Sequence, residues 1–379
     1  MSSAAAIRPT RVEIDLGALR ANAALVRRIA GVDLYAVVKA DAYGHGAVAV
    51  AAALAGAPGV AGLAVSLVEE GSQLRDAGIG APVLVMGPAL HGGYEELVGR
   101  DLTALVTDPG DLEALAAIGR LRGAPVAVHL KVDTGMGRLG IRPEQVGALV
   151  DAALARGGLD IAGVATHFAC AETDDPGDPA CLTRQQLERL AAAVAAVRAA
   201  GGRPRVVHAA NSAGALRFAA ARLDGVRTGI ALYGNGVAPP EGALRQAMRL
   251  RTEVAQVREL PAGGSVGYGA LWRAARPSRL AVLPVGYADG YPRNLTGRAE
   301  VLIAGRRCPV VGAISMDITV VDVTALPGPV APGDEAVLLG GQGAAEVKVA
   351  ELAERAGILP YEVTCGISKR VPRVHAEAA

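Results

Sequence analysis

Tyr35-Ala36-Val37-Val38-Lys39-Ala40-Asp41-Ala42-Tyr43-Gly44-His45-Gly46 decides how the rest of the chain is read. Its four leading apolar or aromatic residues read as a strand buried on both faces, as in the inner strands of a parallel sheet. Such a strand should not close on a lysine without a reason, and Lys39 closes this one. At the carboxyl end of an inner strand the surroundings disfavour the ammonium form. A partly neutral amine is the nucleophile that makes a Schiff base with an aldehyde. A lysine whose stem follows the strand end and whose head reaches water fits the same residues.

Working outward, runs rich in valine, leucine and isoleucine recur at residues 62–66, 83–86, 104–107, 126–132, 161–166, 206–208 and 225–228, with mostly amphipathic stretches between them. With 35–39 they make eight strands alternating with helices, the count of a parallel (β/α)8 barrel of the TIM type. A doubly wound sheet also alternates strand and helix, but usually stops nearer about six strands. Ahead of the barrel, 11–15 alternates as a short strand and 16–29 has helical spacing. After Gly234 the pattern changes to short alternating runs broken by glycine and proline, at 279–284, 299–303, 309–314 and 336–339, with one helical segment at 347–356. The expected fold class is therefore α/β, an N-terminal barrel over residues 1–240 and a C-terminal β-rich domain over 241–379, joined through the Pro/Gly-containing linker 235–242.

Lys+Arg number 38 against 37 Asp+Glu, so no basic field exists to hold nucleic acid or an anionic membrane. Small molecules or a second copy of the chain are the expected partners. The hydrophobic content is 51%, yet every apolar run is interrupted well before the roughly 18 residues a membrane span needs. Residues 1–11 lack the apolar core of a secretory signal, which leaves the cytoplasm as the expected compartment. Cys170, Cys181, Cys308 and Cys365 show no paired metal-ligand spacing and read as reduced, unlinked thiols, with no metal implied.

In a barrel of this kind chemistry gathers at the carboxyl ends of the strands, and the polar residues fall there. Lys39 closes the first run, Lys131 and Asp133 the fifth, and His167 the sixth. His208 with Asn211 and Ser212 follows the seventh, and Arg227 with Gly229 the eighth. The loops 210–214 and 228–230 offer a hydroxyl, a helix start and backbone N–H groups that suit a phosphate dianion, although Asn-Ser-Ala-Gly is also an ordinary helix cap. An aldehyde-reactive lysine opposite a phosphate cradle points to pyridoxal 5′-phosphate.

Residues 36–46 resemble the lysine signature of the alanine racemase family, and Lys131-Val132-Asp133-Thr134-Gly135-Met136-Gly137-Arg138-Leu139-Gly140 is similar to a second, highly specific family segment. Further matches run through 167–169, 208–212, 227–230, 266–269, 286–291, 315–317 and 370–373, so the resemblance covers essentially the whole chain. It implies that Lys39 carries pyridoxal phosphate covalently and is one of two acid/base groups, Tyr268 being the other. Racemisation removes the α-proton from one face and returns it on the opposite face, so two flanking bases account for it simply. A tyrosine, with an ordinary pKa of about 10, needs its phenolate stabilised, and His167 with Arg227 beyond it matches the family's cationic chain for that purpose. Arg227 would stand at the pyridine nitrogen; as a permanent donor it should leave that nitrogen unprotonated, which favours reprotonation over transamination.

By the same resemblance Tyr43, Ser212, Gly229, Ile230 and Tyr361 contact the phosphate, with His208 and Asn211 supporting them. Arg138, Met316 and Asp317 meet the substrate carboxylate, and Tyr287 stands near the pocket entrance. Lys131 matches a lysine often carbamylated in the family. Tyr268, Met316 and Asp317 would come from the second subunit of a head-to-tail homodimer. The implied reaction interconverts L-alanine and D-alanine and supplies the D-isomer for peptidoglycan. The chain departs from the pattern at Ala313, where arginine is frequent, and at 366–369, which bears on substrate selectivity. A decarboxylase on the same barrel would place an acid where Arg227 stands. A single-barrel pyridoxal phosphate carrier would lack the second domain and Tyr268. A broad-specificity racemase differs only in pocket packing.

Overall fold

Valine and leucine on both faces of a strand are stable in a parallel sheet whose two sides are both covered. In the computed structural model, which describes residues 7–90, 92–240 and 242–377, the strands Leu34–Val37, Val60–Val65, Val83–Val85, Thr103–Val106, Val126–Lys131, Leu159–Ala165, Val206–His208 and Val226–Thr228 form one parallel sheet in sequence order. The first strand also pairs with the last, Leu34 opposite Val226 and Ala36 opposite Thr228. A bridge between His208 and Gly225 joins the seventh strand to the eighth. The sheet therefore closes on itself, as eight alternating runs predict. Among the covering helices, Leu182–Ala199 buries Thr183, Gln186, Leu190, Ala193, Val194 and Val197. That spacing of three and four is the inward stripe of an amphipathic helix.

The chain divides into two compact units: Leu19–Ala42 with Ala47–Leu244, which holds the barrel, and the described residues of Met1–Ala18, Tyr43–Gly46 and Arg245–Ala379. In the second unit Arg11–Asp15 pairs antiparallel with Met248–Glu253 and parallel with Arg373–Ala376, so strands from both ends of the chain share one sheet. Along Met248–Glu253 the side chains alternate: Met248, Leu250 and Thr252 are buried. Arg249 and Arg251, on the other face, bridge Glu13 and Glu335. A three-stranded antiparallel sheet, Gln256–Leu260, Ser278–Leu283 and Thr319–Asp322, and the hairpin Ser265–Val266 with Trp272–Arg273 complete the β-rich part. Val266, Leu280 and Val311 form a small core there.

Residues 309–314, read from the sequence as a strand, are not one. The strand is Arg306–Pro309, after which Val310 makes an isolated bridge to Val321 and the chain turns at Gly312, φ +67°. All four cysteines are free thiols. No described helix is long and apolar enough to cross a membrane.

Candidate active site

The first barrel strand stops at Val37, whose carbonyl accepts the buried Tyr233 hydroxyl at 2.9 Å. Lys39 does not close that strand, as the apolar run implied; it opens the tight turn Lys39–Gly44. Ala40, Asp41, Ala42 and Tyr43 have φ between +52° and +55°, a left-handed turn built from four L-residues. Each such residue costs about 1–2 kcal/mol, so the surroundings must hold it. Within the barrel unit the Glu70 carboxylate accepts from Ala40 N at 2.6 Å, and also from Ser66 N and Leu67 N at 2.7 and 3.1 Å. Asp41 accepts from Ala47 N at 2.7 Å. In the other unit Gly44 lies so close to Thr364 that a Cβ would sit 2.2 Å from its carbonyl oxygen, and Arg373 donates to Gly44 O at 3.1 Å. The sequence drew attention to none of Glu70, Tyr233 or Arg373 as anchors of the lysine turn.

At the end of the fifth barrel strand Lys131 is buried, and burial, then the charges of Arg138 and Arg227, bring its amine down to about 8. Asp133 gives the following loop its shape by accepting from Gly135, Met136 and Gly137 N–H at 3.0, 2.8 and 3.1 Å. Arg138 is carried on that loop. Arg227 is only 3% exposed. Its Nη1 donates to His208 Nδ1 at 2.5 Å and to His208 O at 3.0 Å. Its Nη2 donates to Thr166 O at 2.6 Å and Ala209 O at 3.0 Å, and reaches His167 Nδ1 at 3.2 Å. No carboxylate pairs with it among the described residues, and its Nε–H takes no part in these bonds. Burial brings its pKa down to about 10, which still leaves the guanidinium charged at neutral pH. Burial first, then Arg227, hold His167 and His208 well below the ordinary imidazole range. The positive charge in this group therefore sits on Arg227, and both imidazoles are neutral acceptors toward it.

On the same rim Asn211 caps the helix Ser212–Arg217 by accepting from Gly214 N at 2.9 Å. The Ser212 hydroxyl oxygen accepts from Gly229 N at 3.1 Å and Ala231 N at 3.3 Å, gathering the start of the Ile230 turn around it. Beside them the Thr228 hydroxyl is fully buried with no partner. The Ser212 and Thr228 hydroxyls are thereby left as neutral donors at a helix start, chemistry that suits a phosphate.

In the β-rich unit the Tyr43 and Tyr361 rings stand 5.7 Å apart. Tyr268 sits at the tip of the short hairpin and is 76% exposed. Tyr287 N donates to Ser315 O and Ala288 N to Met316 O, both at 3.0 Å, which joins two loops distant in sequence. Only glycine fits at 286, where a Cβ would lie 2.2 Å from Ser315 O. Arg370 donates to Asp317 at 2.6 Å and, with Arg8, ion-pairs with the buried Asp289. Met316, Leu271 and Ile318 join Tyr268 as large exposed apolar side chains of this unit. The structure thus assembles the expected residues in separate groups: the rim set around Lys39, Lys131, His167, Ser212 and Arg227, the tyrosine pair, and the Tyr268, Tyr287, Met316 and Asp317 loops.

Sequence models of the alanine racemase N-terminal and C-terminal domains match residues 14–236 and 247–375. An alanine racemase of Symbiobacterium thermophilum is 48% identical over 377 residues, covering 97% of each chain. Among solved structures, alanine racemase from D-cycloserine-producing Streptomyces lavendulae superposes with a TM-score of 0.91 at 38% identity, covering 99% of this chain and 98% of the other. That of Streptomyces coelicolor A3(2) has a TM-score of 0.91 at 37% identity, covering both chains fully.

Proposed function

The chain belongs to the alanine racemase family, and from that membership we propose that it interconverts L-alanine and D-alanine with pyridoxal 5′-phosphate, in the cytoplasm, supplying D-alanine for peptidoglycan. The residues of the rim fit that cofactor. Lys39 offers the amine, Ser212 with Gly229 and Ile230 a phosphate cradle supported by Asn211, and Arg227 an uncommitted Nε–H for the ring nitrogen. Tyr43 and Tyr361 are assigned to the phosphate end by resemblance. When bound, the cofactor supplies an aldehyde that condenses with amines and a conjugated ring that acidifies the substrate α-carbon.

The protein's part is then to hold and move one proton. Lys39 Nζ exchanges the α-proton on one face, and the Tyr268 hydroxyl of a second copy exchanges it on the other. Neutral His167 accepts a hydrogen bond from Arg227 at Nδ1 and so has Nε2–H to donate, in a form suited to stabilising the Tyr268 phenolate. Arg138, Met316 and Asp317 fix the substrate carboxylate, and Tyr287 narrows the entrance. A partly neutral Lys131 is the form that carbon dioxide carbamylates, and the resulting negative charge would hold Arg138. The exposed Tyr268, Leu271, Met316 and Ile318 support a homodimer in which each copy completes the other's site.

The observation that carries this reading is the buried Arg227 with two neutral imidazoles and, among the described residues, no carboxylate paired with it. A decarboxylase on the same barrel would be expected to place an acid there. The test is an absorbance spectrum of the purified protein followed by a polarimetric assay with L-alanine. A visible cofactor band that is lost in Lys39→Ala, with rotation decaying to zero in the parent, is expected. Absence of the band, or its persistence in Lys39→Ala, removes the assignment.

A further inference from the structure

Behind Arg227 lies a second buried histidine that the proposed reaction does not use. His129, in the middle of the fifth barrel strand, is 6% exposed, and its Nδ1 lies 2.8 Å from Nε2 of His208. Tyr35 closes the pair with its ring, 5.4 Å from His208 and 6.4 Å from His129. Space for the imidazole is made by Gly163 on the neighbouring strand, where a Cβ would lie 2.6 Å from the His129 ring.

The direction of each hydrogen bond follows from what an arginine can do. A guanidinium has only donors, so the short contact between Arg227 Nη1 and His208 Nδ1 requires a bare lone pair on Nδ1. A neutral His208 must then carry its proton on Nε2 and donate it to His129 Nδ1, which in turn must be bare. Neutrality is supported on both sides: burial, then Arg227, hold His208 well below the ordinary range and bring His129 down to about 4. The other charged groups acting on His129 are Arg205 and Asp160, which oppose one another.

We propose that His129 is a positioning residue: by accepting the Nε2 proton of His208 it locks the one tautomer that can receive Arg227, and so fixes the guanidinium with its Nε–H uncommitted. Without that acceptor the Nε2–H of His208 is left buried with no partner, which penalises this tautomer and lets the Nδ1–H form, whose proton faces an arginine N–H and displaces the guanidinium, compete with it. The functional consequence rests on the reading of Arg227 as the partner of the cofactor's ring nitrogen, whereas the tautomer itself does not.

Ring-nitrogen NMR on protein labelled with 15N-histidine tests the lock directly, and the chain's six histidines make assignment by substitution practicable. In the parent, His208 should show a bare Nδ1 and a protonated Nε2, unchanged between neutral and mildly alkaline pH. His129→Asn, whose amide oxygen occupies the place of Nδ1, should keep that pattern and most of the activity. His129→Leu should convert His208 wholly or partly to the Nδ1–H form and lower kcat for racemisation about tenfold, with KM for alanine changed less than about twofold. A protonated Nδ1 in the parent, an unchanged His208 in His129→Leu, or a His129→Asn protein as impaired as the leucine variant would each overturn the proposal. Should His129→Leu not fold, the parent pattern and the asparagine variant still decide it. A correct tautomer pattern in a protein without racemase activity would instead sink the functional reading and leave the lock standing.

Discussion

Arg227 on the barrel rim is 3% exposed and its Nη protons are shared among carbonyls and neutral imidazoles, whereas Tyr268 at its hairpin tip is 76% exposed and Met316, on another loop of the same unit, 52%. The first region is largely paired within one chain, the Arg227 Nη groups and both imidazoles engaged and the His208 tautomer set by its hydrogen bonds, with the Arg227 Nε–H and the Thr228 hydroxyl left over. The second presents large apolar side chains and an aromatic hydroxyl to the outside on loops that are themselves well stitched, Tyr287 N to Ser315 O and Arg370 to Asp317. Groups that hold a cofactor must be in place before substrate arrives. In the proposed homodimer, groups that meet the substrate from the opposite face are delivered by association, which would leave them bare in the single chain.

The contrast can be broken most sharply at Lys39. Lys39→Ala should lower racemisation by at least about 10^4-fold, because it removes both the covalent anchor and one acid/base group. Polarimetry with either enantiomer measures it, and retained turnover would mean that the rim is not the reacting centre. Tyr268→Phe should cost about 10^2- to 10^4-fold in kcat. Its loss should be one-sided: exchange of the α-proton with solvent, followed by NMR in D2O, should persist from one enantiomer and fail from the other. Equal and rapid exchange from both would show that Tyr268 is not the second base.

Acid should strike the first region and spare the second. His129, His167 and His208 are all held below the ordinary value of 6.5, His129 at about 4. Between those two values the unfolded chain binds more protons than the folded one, so stability rises with pH there. Their contribution is intact above pH 6.5 and is lost as pH falls toward 4, at about 3 kcal/mol for His129 alone. Chemical denaturation across that window should steepen accordingly, and His129→Asn should flatten part of the slope. The smallest effect belongs to Arg370, which pairs with an Asp317 that is 56% exposed. Arg370→Ala should raise KM for alanine by a few fold and leave the cofactor band untouched, since a pair this open to water is weak.

The barrel was legible because each of its eight strands is a local run of branched apolar residues, and local runs need no partner to be recognised. The first strand of the β-rich sheet is different: Arg11–Asp15 has an obvious alternation, but nothing in it announces pairing with Met248–Glu253 and Arg373–Ala376. The turn after Lys39 was hidden for another reason. Ala40-Asp41-Ala42-Tyr43 has no glycine to signal positive φ, and the conformation is imposed from outside by Glu70 and by the setting of Gly44. His129 left a trace that could have been followed, a buried histidine between Val128 and Leu130, two residues ahead of Lys131. Its partner lies on a strand far along the chain, and only the closed sheet brings the two rings together.

The central claim is that an amine on one copy and a phenol on another face the same substrate carbon, and subunit complementation tests it most directly. Lys39→Ala and Tyr268→Phe are each expected to be inactive. Co-expressed and dissociated into mixed dimers, they should regain activity approaching roughly a quarter of the parent, because half the dimers are mixed and one of the two sites in each is whole. Mixed dimers that stay as inactive as either variant alone would mean that both groups belong to the same chain's site.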